Sequence, residues 1–570
     1  MSQSNQISSM SILALTDSST GTISGIKVLL GKEAESRLAS KSFIKKWDAL
    51  YENCPWATVF QSSKLLTTWF QCFKDAYHSI LIFEEQEDKL TGLLILVQDI
   101  GKSKISVAGC TEAEYQTWLA EGDQYTGFIE NALTSLRSHF PKSEVHFTNI
   151  PANTPLEWVS RAKWSKVCEL TAFQRPVMNL NKADAPKLFR KQQFREKRNR
   201  LKRLGELSFE HITSLDRFVT VLPELMDQFD FRKGARYNVL YFRNKPAGKR
   251  YLIELFKQGL LHATILKLND EIIASIVGQI DGKSVCLGGI NTHSPCYGLL
   301  SPGYVHFLML GQHLLAEGYE LFDLTPGNDP YKWRIANDQD VVHSLCFSSP
   351  KKTFVKKRVV NPLMDFAKAN LSKRGVDIRD LKETMLKALE RINKNKVNGM
   401  ASIITSILPY KRNNKQTAIY RYDPSSSVAK NSVIVELNSF ASLLDFDQHS
   451  SRITRWEFLN EAMQRFENGA KAHTYVKNGR LLCCVWQAGN TEVLENVLGA
   501  EALDAQQQHI CLVDGFYLHA ALQANLESVI KSIMEKVKAG KQSTCIYATL
   551  SGSDKKLGRE LERAGFKPLI

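Results

Sequence analysis

The 570-residue chain lacks any apolar run long enough to span a bilayer, and its cysteines lack the spacing of a disulfide framework or a zinc site. The eleven cysteines are odd in number and scattered, and Cys483 and Cys484 are adjacent, which suits neither role. Residues 1–22 contain no basic segment followed by a long apolar one, so no signal peptide is expected. These absences predict a cytoplasmic protein with reduced thiols and no integral membrane segment.

Several catalytic motifs are also missing. The chain has no Gly-x-Ser-x-Gly elbow, Walker loop, dinucleotide fingerprint or zinc knuckle, which argues against hydrolases, nucleotidases and redox enzymes. What it has is 43% hydrophobic residues, enough for packed cores, and a formal net charge of +15. This charge favours an anionic partner, such as coenzyme A phosphates, a sugar nucleotide, nucleic acid or an anionic membrane face, and does not choose among them.

The stretch between residues 262 and 347 has the most informative order of elements. Tight-turn signals separate three strand-like segments, which are residues 262–268, 271–280 and 285–290. The turn signals are Asn269-Asp270 and Asp281-Gly282, so the segments should form an antiparallel meander.

A helix should follow the meander. Ser301 can cap it through its hydroxyl, Pro302 suits the first helical position, and Gly303 lets a ligand approach the backbone. Free amide groups and the helix dipole at such a start would bind an anion.

These residues resemble the CelD-type branch of the GNAT superfamily, which is associated with cellulose and exopolysaccharide biosynthesis and is related in fold to the FemABX peptidyltransferases. The resemblance is carried by Ser301-Pro302-Gly303, by residues 318–323 and 327–332, and by the basic run 189–205. It implies acetyl-coenzyme A or another acyl-coenzyme A as the donor. It also implies a small-molecule or saccharide acceptor, such as a sugar amine or hydroxyl used for an extracellular polysaccharide.

The chain is therefore predicted to be an α/β protein of the α+β kind. It should consist of tandem GNAT-like modules, each with a mixed, mostly antiparallel central sheet flanked by helices. The predicted parts are a disordered N-terminus at 1–23, a degenerate GNAT-like module at 24–180, the acyltransferase module at 181–350, a basic helical connector at 351–415, and a third GNAT-like module at 416–570.

The resemblance also assigns donor-binding residues. In this fold class an acyl donor usually lies between two parallel strands that splay apart, here residues 285–290 and 320–324, with its pyrophosphate at the start of the helix between them. The residues implied for the donor are Ser301, Gly303, Tyr304 and Asn291. Within the third module the corresponding loop, 519–525, contains no glycine, so the donor is expected in the second module alone.

Asp323 ends the second splayed strand, where it could accept a proton from an attacking amine or hydroxyl. Its alternative role is to cap the turn that begins at Thr325. By resemblance, Tyr331 could protonate the departing thiolate. Lys332 is also a candidate catalytic residue. Its alternative role is structural, in an ion pair with Asp323 or Asp329.

Two further residues, Asn328 and Arg334, are predicted to bind the substrate, and Arg334 or Lys332 could orient an anionic acceptor or the acyl carbonyl. No metal site is expected. His306 and His313 are two helical turns apart, which is too far to share an ion.

A basic helix is predicted over 187–203, with nine Lys and Arg residues beside an apolar face of Phe189, Phe194, Leu201 and Leu204. It is either a solvated charged face or a clamp for a polyanion, RNA or a sugar nucleotide. The clamp would suit a FemABX-like aminoacyltransferase that uses aminoacyl-tRNA. A non-catalytic GNAT-like scaffold is the other alternative, because the two flanking modules lack the Ser-Pro-Gly helix start.

Overall fold

The structure, a computed structural model, describes three parts of the chain: residues 25–350 apart from 103, 123–126 and 328; residues 352, 386, 387 and 390; and residues 417–569 apart from 424–432, 452, 490–508, 523–525, 539–543 and 552–554. The segment 1–23 and nearly all of 351–415 lie outside them. The chain divides into two units, one formed by residues 1–173 and 341–355 and the other by 174–340 and 356–570. The predicted second and third modules thus belong to one unit, and the module boundaries stay a prediction.

The first unit contains a five-stranded antiparallel sheet in the order β1-β2-β3-β4, with β5 paired to β3. Its strands are β1 (Ile26–Leu30), β2 (Tyr77–Gln86), β3 (Lys89–Asp99), β4 (Ile105–Val107), β5 (Leu119–Ala120) and, outside this sheet, β6 (Val145–Ile150). Its helices are α1 (Gly31–Leu38), α2 (Lys41–Asn53), α3 (Ser63–Phe73) and α4 (Gly127–His139). The strands β2 and β3 form an antiparallel hairpin, and α4 begins at Gly127.

Close packing of α4 on β3 explains one glycine of this unit. A Cβ at Gly92 would lie 2.2 Å from Cδ2 of Phe128, so only glycine lets the Phe128 ring rest on the strand. Phe128 is fully buried, and its helix covers a strand in which eight successive residues are buried. Successive strand residues point to opposite faces, so β3 is covered on both faces of the sheet, and α2 packs on it as well as α4.

The sheet of the second unit runs in the order β7-β12-β11-β10-β9-β8. These strands are β7 (Cys168–Asn179, which enters this unit at residue 174), β8 (Leu207–Ile212), β9 (Leu261–Leu268), β10 (Glu271–Asp281), β11 (Ser284–His293) and β12 (Leu321–Asp323). The predicted meander is confirmed, because β10 pairs antiparallel with both β9 and β11. Its turns are tight, with positive φ at Asn269 and Gly282. A last strand, β13 (Asp338–Phe347), leaves this unit and pairs with β6 in the first.

Helices cover this sheet, and they include α5 (Ala185–Leu188), α6 (Gln192–Lys202), α7 (Leu215–Tyr237), α8 (Tyr241–Asn244), α9 (Ala247–Lys257), α10 (Pro302–Ala316) and α11 (Pro330–Ile335). The core on one face joins α6 and α10 to the strands, while α7 packs on β11 and α9 on β9. The prediction of one basic helix over 187–203 was wrong in its bounds. Phe189 packs against α10 at Gly311, and the chain turns there before α6 begins at Gln192.

The third module has a seven-stranded sheet in the order β15-β16-β17-β18-β19-β14-β20, in which only β18 and β19 are parallel. Its strands are β14 (Thr417–Tyr422), β15 (Glu436–Leu437), β16 (Lys471–Lys477), β17 (Arg480–Gln487), β18 (His509–Leu518), β19 (Thr544–Ser551) and β20 (Phe566–Pro568). Its helices are α12 (Phe440–Leu444), α13 (Arg455–Glu467), α14 (Leu526–Lys538) and α15 (Lys555–Arg563). The described elements thus repeat the order of the second module, a meander followed by a parallel pair.

Packing of α13 on α7 joins the third module to the second. The Trp456 indole donates a hydrogen bond to the carbonyl oxygen of Ala235 at 3.0 Å. Phe231 and Leu240 share one apolar core with Leu459. The chain is thus a mixed α/β protein with mostly antiparallel sheets flanked by helices, as predicted. Among its described helices, none combines the length and the apolar character needed to cross a membrane.

Candidate functional site

The strands β11 and β12 run parallel and separate after a short contact. They pair only at Ser284 with Leu321, Val285 with Phe322 and Cys286 with Asp323. Beyond Cys286, β11 continues to His293, whereas β12 ends at Asp323. The predicted splay is therefore present, and it opens at the carboxyl ends of both strands, where open α/β sheets commonly bind ligands.

The start of α10 lies at this same end of β11. Pro302 occupies the first turn of the helix, as predicted. The prediction that Ser301 caps the helix through its hydroxyl was wrong: Ser301 has a φ of +54°, and its side chain makes no capping hydrogen bond. Its hydroxyl instead accepts a hydrogen bond from Nζ of Lys197 at 2.8 Å. The first amide groups of α10 thus have no side-chain cap.

Gly303 has a packing role that the sequence did not reveal. A Cβ at this position would lie 2.9 Å from Nδ1 of His293, so the glycine lets the end of β11 approach α10. Tyr304 follows it and packs partly buried against the core of the second module. The part of Gly303 and Tyr304 in donor binding stays a prediction.

Cationic side chains surround the start of α10. Nζ of Lys191 donates to the carbonyl oxygen of Arg334 at 2.9 Å, while Lys197 reaches Ser301. Burial lowers the pKa of Lys197, and the nearby charges of Arg200 and Arg334 lower it further. The neighbouring cations and the uncapped amides of the helix N-terminus together create a positive potential. A bound anion would reduce the repulsion between these cations.

Tyr331 lies on α11 beside β11. Its hydroxyl accepts a hydrogen bond from Nδ2 of Asn291 at 3.4 Å, and its ring centroid is 5.5 Å from that of Phe307. Burial raises the pKa of Tyr331 to about 12, and the charge of Asp329 adds to the rise. The phenol is therefore protonated at neutral pH and can donate its proton. The structure thus places Asn291 next to the predicted acid.

Asp323 is 4% exposed and bound on both carboxylate oxygens. Its Oδ2 forms an ion pair with Nη1 of Arg175 at 2.9 Å, and its Oδ1 accepts a hydrogen bond from the backbone amide of Thr325 at 2.8 Å. Arg175 also donates through Nε to Asp340 at 2.7 Å. The turn-capping role is therefore present in the structure. The role of Asp323 as a proton acceptor stays a prediction.

Lys332 holds the turn after β12. Its buried Nζ donates to the carbonyl oxygen of Thr325 at 3.2 Å, to the Thr325 hydroxyl at 3.0 Å and to the carbonyl oxygen of Pro326 at 3.2 Å. Arg334, two residues on, is exposed, and its backbone carbonyl oxygen accepts the hydrogen bond from Lys191. Asn328, predicted to bind substrate, lies outside the described residues.

Sequence reasoning did not select Arg232 or His293 as site residues. The Nε atom of Arg232 on α7 is buried without a hydrogen-bond acceptor. Burial lowers the pKa of Arg232 to about 10, and the Tyr331 phenol and Glu467 are close enough to raise it in part. Burial holds the pKa of His293 well below its usual value, and the charge of Arg232 adds to this. No local pattern could have found them, because only the packing of α7 on β11 brings them together.

The assembled site has four chemical features: a positive helix start, a protonated phenol, a neutral imidazole and a buried guanidinium. All four lie around the carboxyl end of β11. Such a set can bind an anionic ligand and move protons at an adjacent reacting group.

Residues 189–333 match the family model described as "Acetyltransferase (GNAT) domain", so the predicted GNAT-superfamily resemblance is confirmed for this part of the chain. No curated protein matches the chain. A crystal structure of FemX is similar to it with a TM-score of 0.40 and 10% identity, over 55% of this chain and 98% of FemX.

Two other solved structures are similar at the same level. L-PGS from Bacillus licheniformis has a TM-score of 0.36 and 13% identity, over 55% of this chain and 96% of that one. A tandem GNAT protein from the clavulanic acid biosynthesis pathway has a TM-score of 0.33 and 10% identity, over 56% of this chain and 98% of that one.

Proposed function

We propose that the protein is an acyl-coenzyme A-dependent N- or O-acyltransferase whose reaction takes place at the carboxyl end of β11. The observation that carries this proposal is the uncapped, cation-lined start of α10 beside two parallel strands that separate. An acyl-coenzyme A molecule has a pyrophosphate for the helix start and an extended arm for the opening between the strands. The match of residues 189–333 to a GNAT domain supports the same donor class.

In this proposal the donor pyrophosphate binds the first amides of α10, at Gly303 and Tyr304, with Lys197 as a counter-charge. The Ser301 hydroxyl, which already accepts from Lys197, holds that lysine at the helix start. Asn291 lies farther along the opening and orients the Tyr331 hydroxyl.

The chemistry is direct transfer. The acceptor amine or hydroxyl attacks the thioester carbonyl carbon, and a tetrahedral intermediate forms with its negative charge on the former carbonyl oxygen. The Arg232 guanidinium, whose buried Nε has no hydrogen-bond acceptor, suits the stabilisation of that charge. The acceptor gives its proton to Asp323, and neutral His293 at the end of β11 is the alternative base. The carbon–sulfur bond then breaks, and Tyr331 protonates the leaving thiolate.

For the acceptor we propose a sugar or polysaccharide precursor, on the resemblance to the CelD-type branch, with Asn328 and Arg334 as its predicted binding residues. The scattered cysteines support a cytoplasmic location for the reaction.

One observation favours a second candidate, a FemABX-like aminoacyltransferase that takes its acyl group from aminoacyl-tRNA. One side of α6 and its end carry exposed cations, which are Arg195, Arg200, Lys202 and Arg203. Exposed cations on one helix suit a phosphate backbone, whose binding falls steeply with salt. Because tRNA is much larger than acyl-coenzyme A, only tRNA would contact these exposed cations of α6.

The experiment compares the two donors. Acetyl-coenzyme A and longer acyl-coenzyme A species are supplied with amino-sugar acceptors, and release of free thiol is followed. Turnover should depend on acyl-coenzyme A and should fall by about tenfold or more in Lys197→Ala, because a charge-assisted contact to phosphate contributes about 1.5–3 kcal/mol.

The matched control for this comparison is Lys202→Ala, which removes an exposed lysine from the same helix and should leave acyl-coenzyme A turnover unchanged. Transfer that requires aminoacyl-tRNA, and that disappears in high salt, would replace the first candidate with the second. Failure of both donors to bind would leave the non-catalytic scaffold.

A further inference from the structure

A cluster of three histidines and one glutamate lies at the other end of α10. His211 is on β8, His262 on β9, and His313 and Glu317 are one turn apart at the end of α10. One potential ligand atom from each residue lies within 4.8 Å of all the others. A rise of 1.5 Å per residue puts His313 about 15 Å from Gly303, so the cluster is separate from the proposed donor site.

The three imidazoles converge on one carboxylate. Nδ1 of His211 is 3.0 Å from Oε1 of Glu317, and Nε2 of His262 is 2.9 Å from Oε2. Nε2 of His313 is 3.2 Å from Oε1. The rings of His211 and His262 are stacked, with centroids 4.1 Å apart. Three potential donors thus share one glutamate.

Hydrogen bonding alone leaves part of this cluster unsatisfied. Nε2 of His313 is buried without a hydrogen-bond partner although it faces the carboxylate, and Nδ1 of His262 is also buried without one. Buried polar atoms of folded proteins are nearly always paired, so an unpaired imidazole nitrogen aimed into a cluster of ligands points to a missing partner. A metal ion at the centre would take up the lone pair of His313.

We propose that His211, His262, His313 and Glu317 form a structural Zn²⁺ site. Three nitrogen ligands and one carboxylate oxygen suit Zn²⁺, which favours tetrahedral coordination and binds imidazole well. Bonds of about 2.0–2.1 Å in a tetrahedron put ligand atoms about 3.3 Å apart. The distances from the three imidazole nitrogens to the Glu317 carboxylate oxygens, 2.9–3.2 Å, lie near that value.

The position of the cluster indicates what the ion would do. β8 is the edge strand of its sheet and pairs only with β9 among the described strands. A bound ion would tie this edge strand to β9 and to the end of α10. The Phe209 ring, 5.2 Å from that of His313, shields the cluster on one side. With four protein ligands the site is closed, which is typical of structural rather than catalytic zinc.

The test uses the full chain, stripped with a chelator and then supplied with Zn²⁺ at about micromolar free concentration, which exceeds the dissociation constant expected of a four-ligand site. Mass spectrometry of the metal content should give one Zn²⁺ per chain, and Tm should rise by several degrees. Mg²⁺, which prefers oxygen ligands, should cause no rise. Co²⁺ should give the visible absorption of a tetrahedral nitrogen and oxygen site.

The variants are His211→Ala and His313→Ala, whose side chains are partly exposed and should not prevent folding. Each should lose the bound ion and the Tm increase, and Glu317→Gln should weaken Zn²⁺ binding by at least tenfold. His449→Asn, at an exposed histidine of the third module, should behave as the unchanged protein. Folded protein that takes up no Zn²⁺, or variants that bind it as well as the unchanged chain, would overturn the proposal. Acyltransferase activity enters none of these measurements.

Discussion

Tyr331 is the residue whose chemistry the structure defines best. Its pKa, raised to about 12 by burial, keeps the phenol protonated, and Asn291 orients the hydroxyl. The sequence located this residue through its place after the second splayed strand. It did not reveal the burial or the partner, because both depend on how α11 packs against β11 and Phe307.

Tyr331→Phe should lower kcat by roughly 10²-fold, because the variant removes the proton donor and keeps the ring that packs on Phe307. Donor affinity should change little. The comparison variant is Tyr237→Phe, at a tyrosine that is 52% exposed, for which kcat should be unchanged. Normal turnover by Tyr331→Phe would assign the tyrosine to packing alone.

Asp323 has an observed structural role and a proposed catalytic one, and one substitution tests both. Asp323→Asn should lower the free energy of unfolding by about 1–3 kcal/mol, because buried Arg175 loses one of its carboxylate partners. Chemical denaturation measures this effect. Asp340→Asn, at the more exposed partner, should cost less than about 1 kcal/mol.

The activity of these two variants shows whether Asp323 takes part in the chemistry. If Asp323 accepts the proton, its variant should also lose roughly 10²-fold in kcat at a temperature where it is fully folded, whereas Asp340→Asn should not. Equal kcat in both variants would leave Asp323 with the turn cap and the ion pair only.

At the scale of the elements, strands with turn signals were predictable and the helix break was not. Hairpins such as β9–β10 follow from turn residues with positive φ between apolar runs, which are local features. The break between α5 and α6 depends on Phe189 packing at Gly311, more than a hundred residues away. Leu204, predicted on the apolar face, is 57% exposed because it lies beyond the end of α6.

The contact between α10 and β11 gives a prediction at this scale. Gly303→Ala should lower the free energy of unfolding by about 1–3 kcal/mol, because its Cβ would lie 2.9 Å from Nδ1 of His293 and the strand end or helix must shift. Donor affinity should fall with it. Gly298→Ala is the control, because its Cβ would meet only the flexible Glu467 side chain at 3.4 Å. A fully stable Gly303→Ala would show that the two elements are not in close contact.

At the scale of the whole molecule, the sequence predicted a third module but not how it is attached. The tight turn at Asn478-Gly479 between β16 and β17 is a local sequence signal, whereas the role of α13 is not, because amphipathic helices do not show from sequence which surface they cover. The shared core of Phe231, Leu240 and Leu459 makes the third module part of the unit that holds the candidate site.

From the sequence, we expect a variant truncated near residue 350 to stay soluble and to bind the donor. The shared core now predicts the opposite, that truncation there exposes the apolar side of α7 and causes aggregation. In the full chain, Leu459→Ala should lower the free energy of unfolding by about 2–5 kcal/mol because Leu459 is fully buried. Denaturation curves measure this cost. A monodisperse, stable truncated chain in light scattering would show that α7 does not depend on α13.

The central claim is that one acyl-coenzyme A binds per chain, at the start of α10. Calorimetric titration of the full chain with acetyl-coenzyme A and longer acyl-coenzyme A species tests it most directly, alongside Lys197→Ala and Lys202→Ala. We predict one donor per chain, with affinity reduced about tenfold or more by Lys197→Ala and unchanged by Lys202→Ala. Absence of binding by every acyl-coenzyme A, two donors per chain, or equal affinity in both variants would contradict the account.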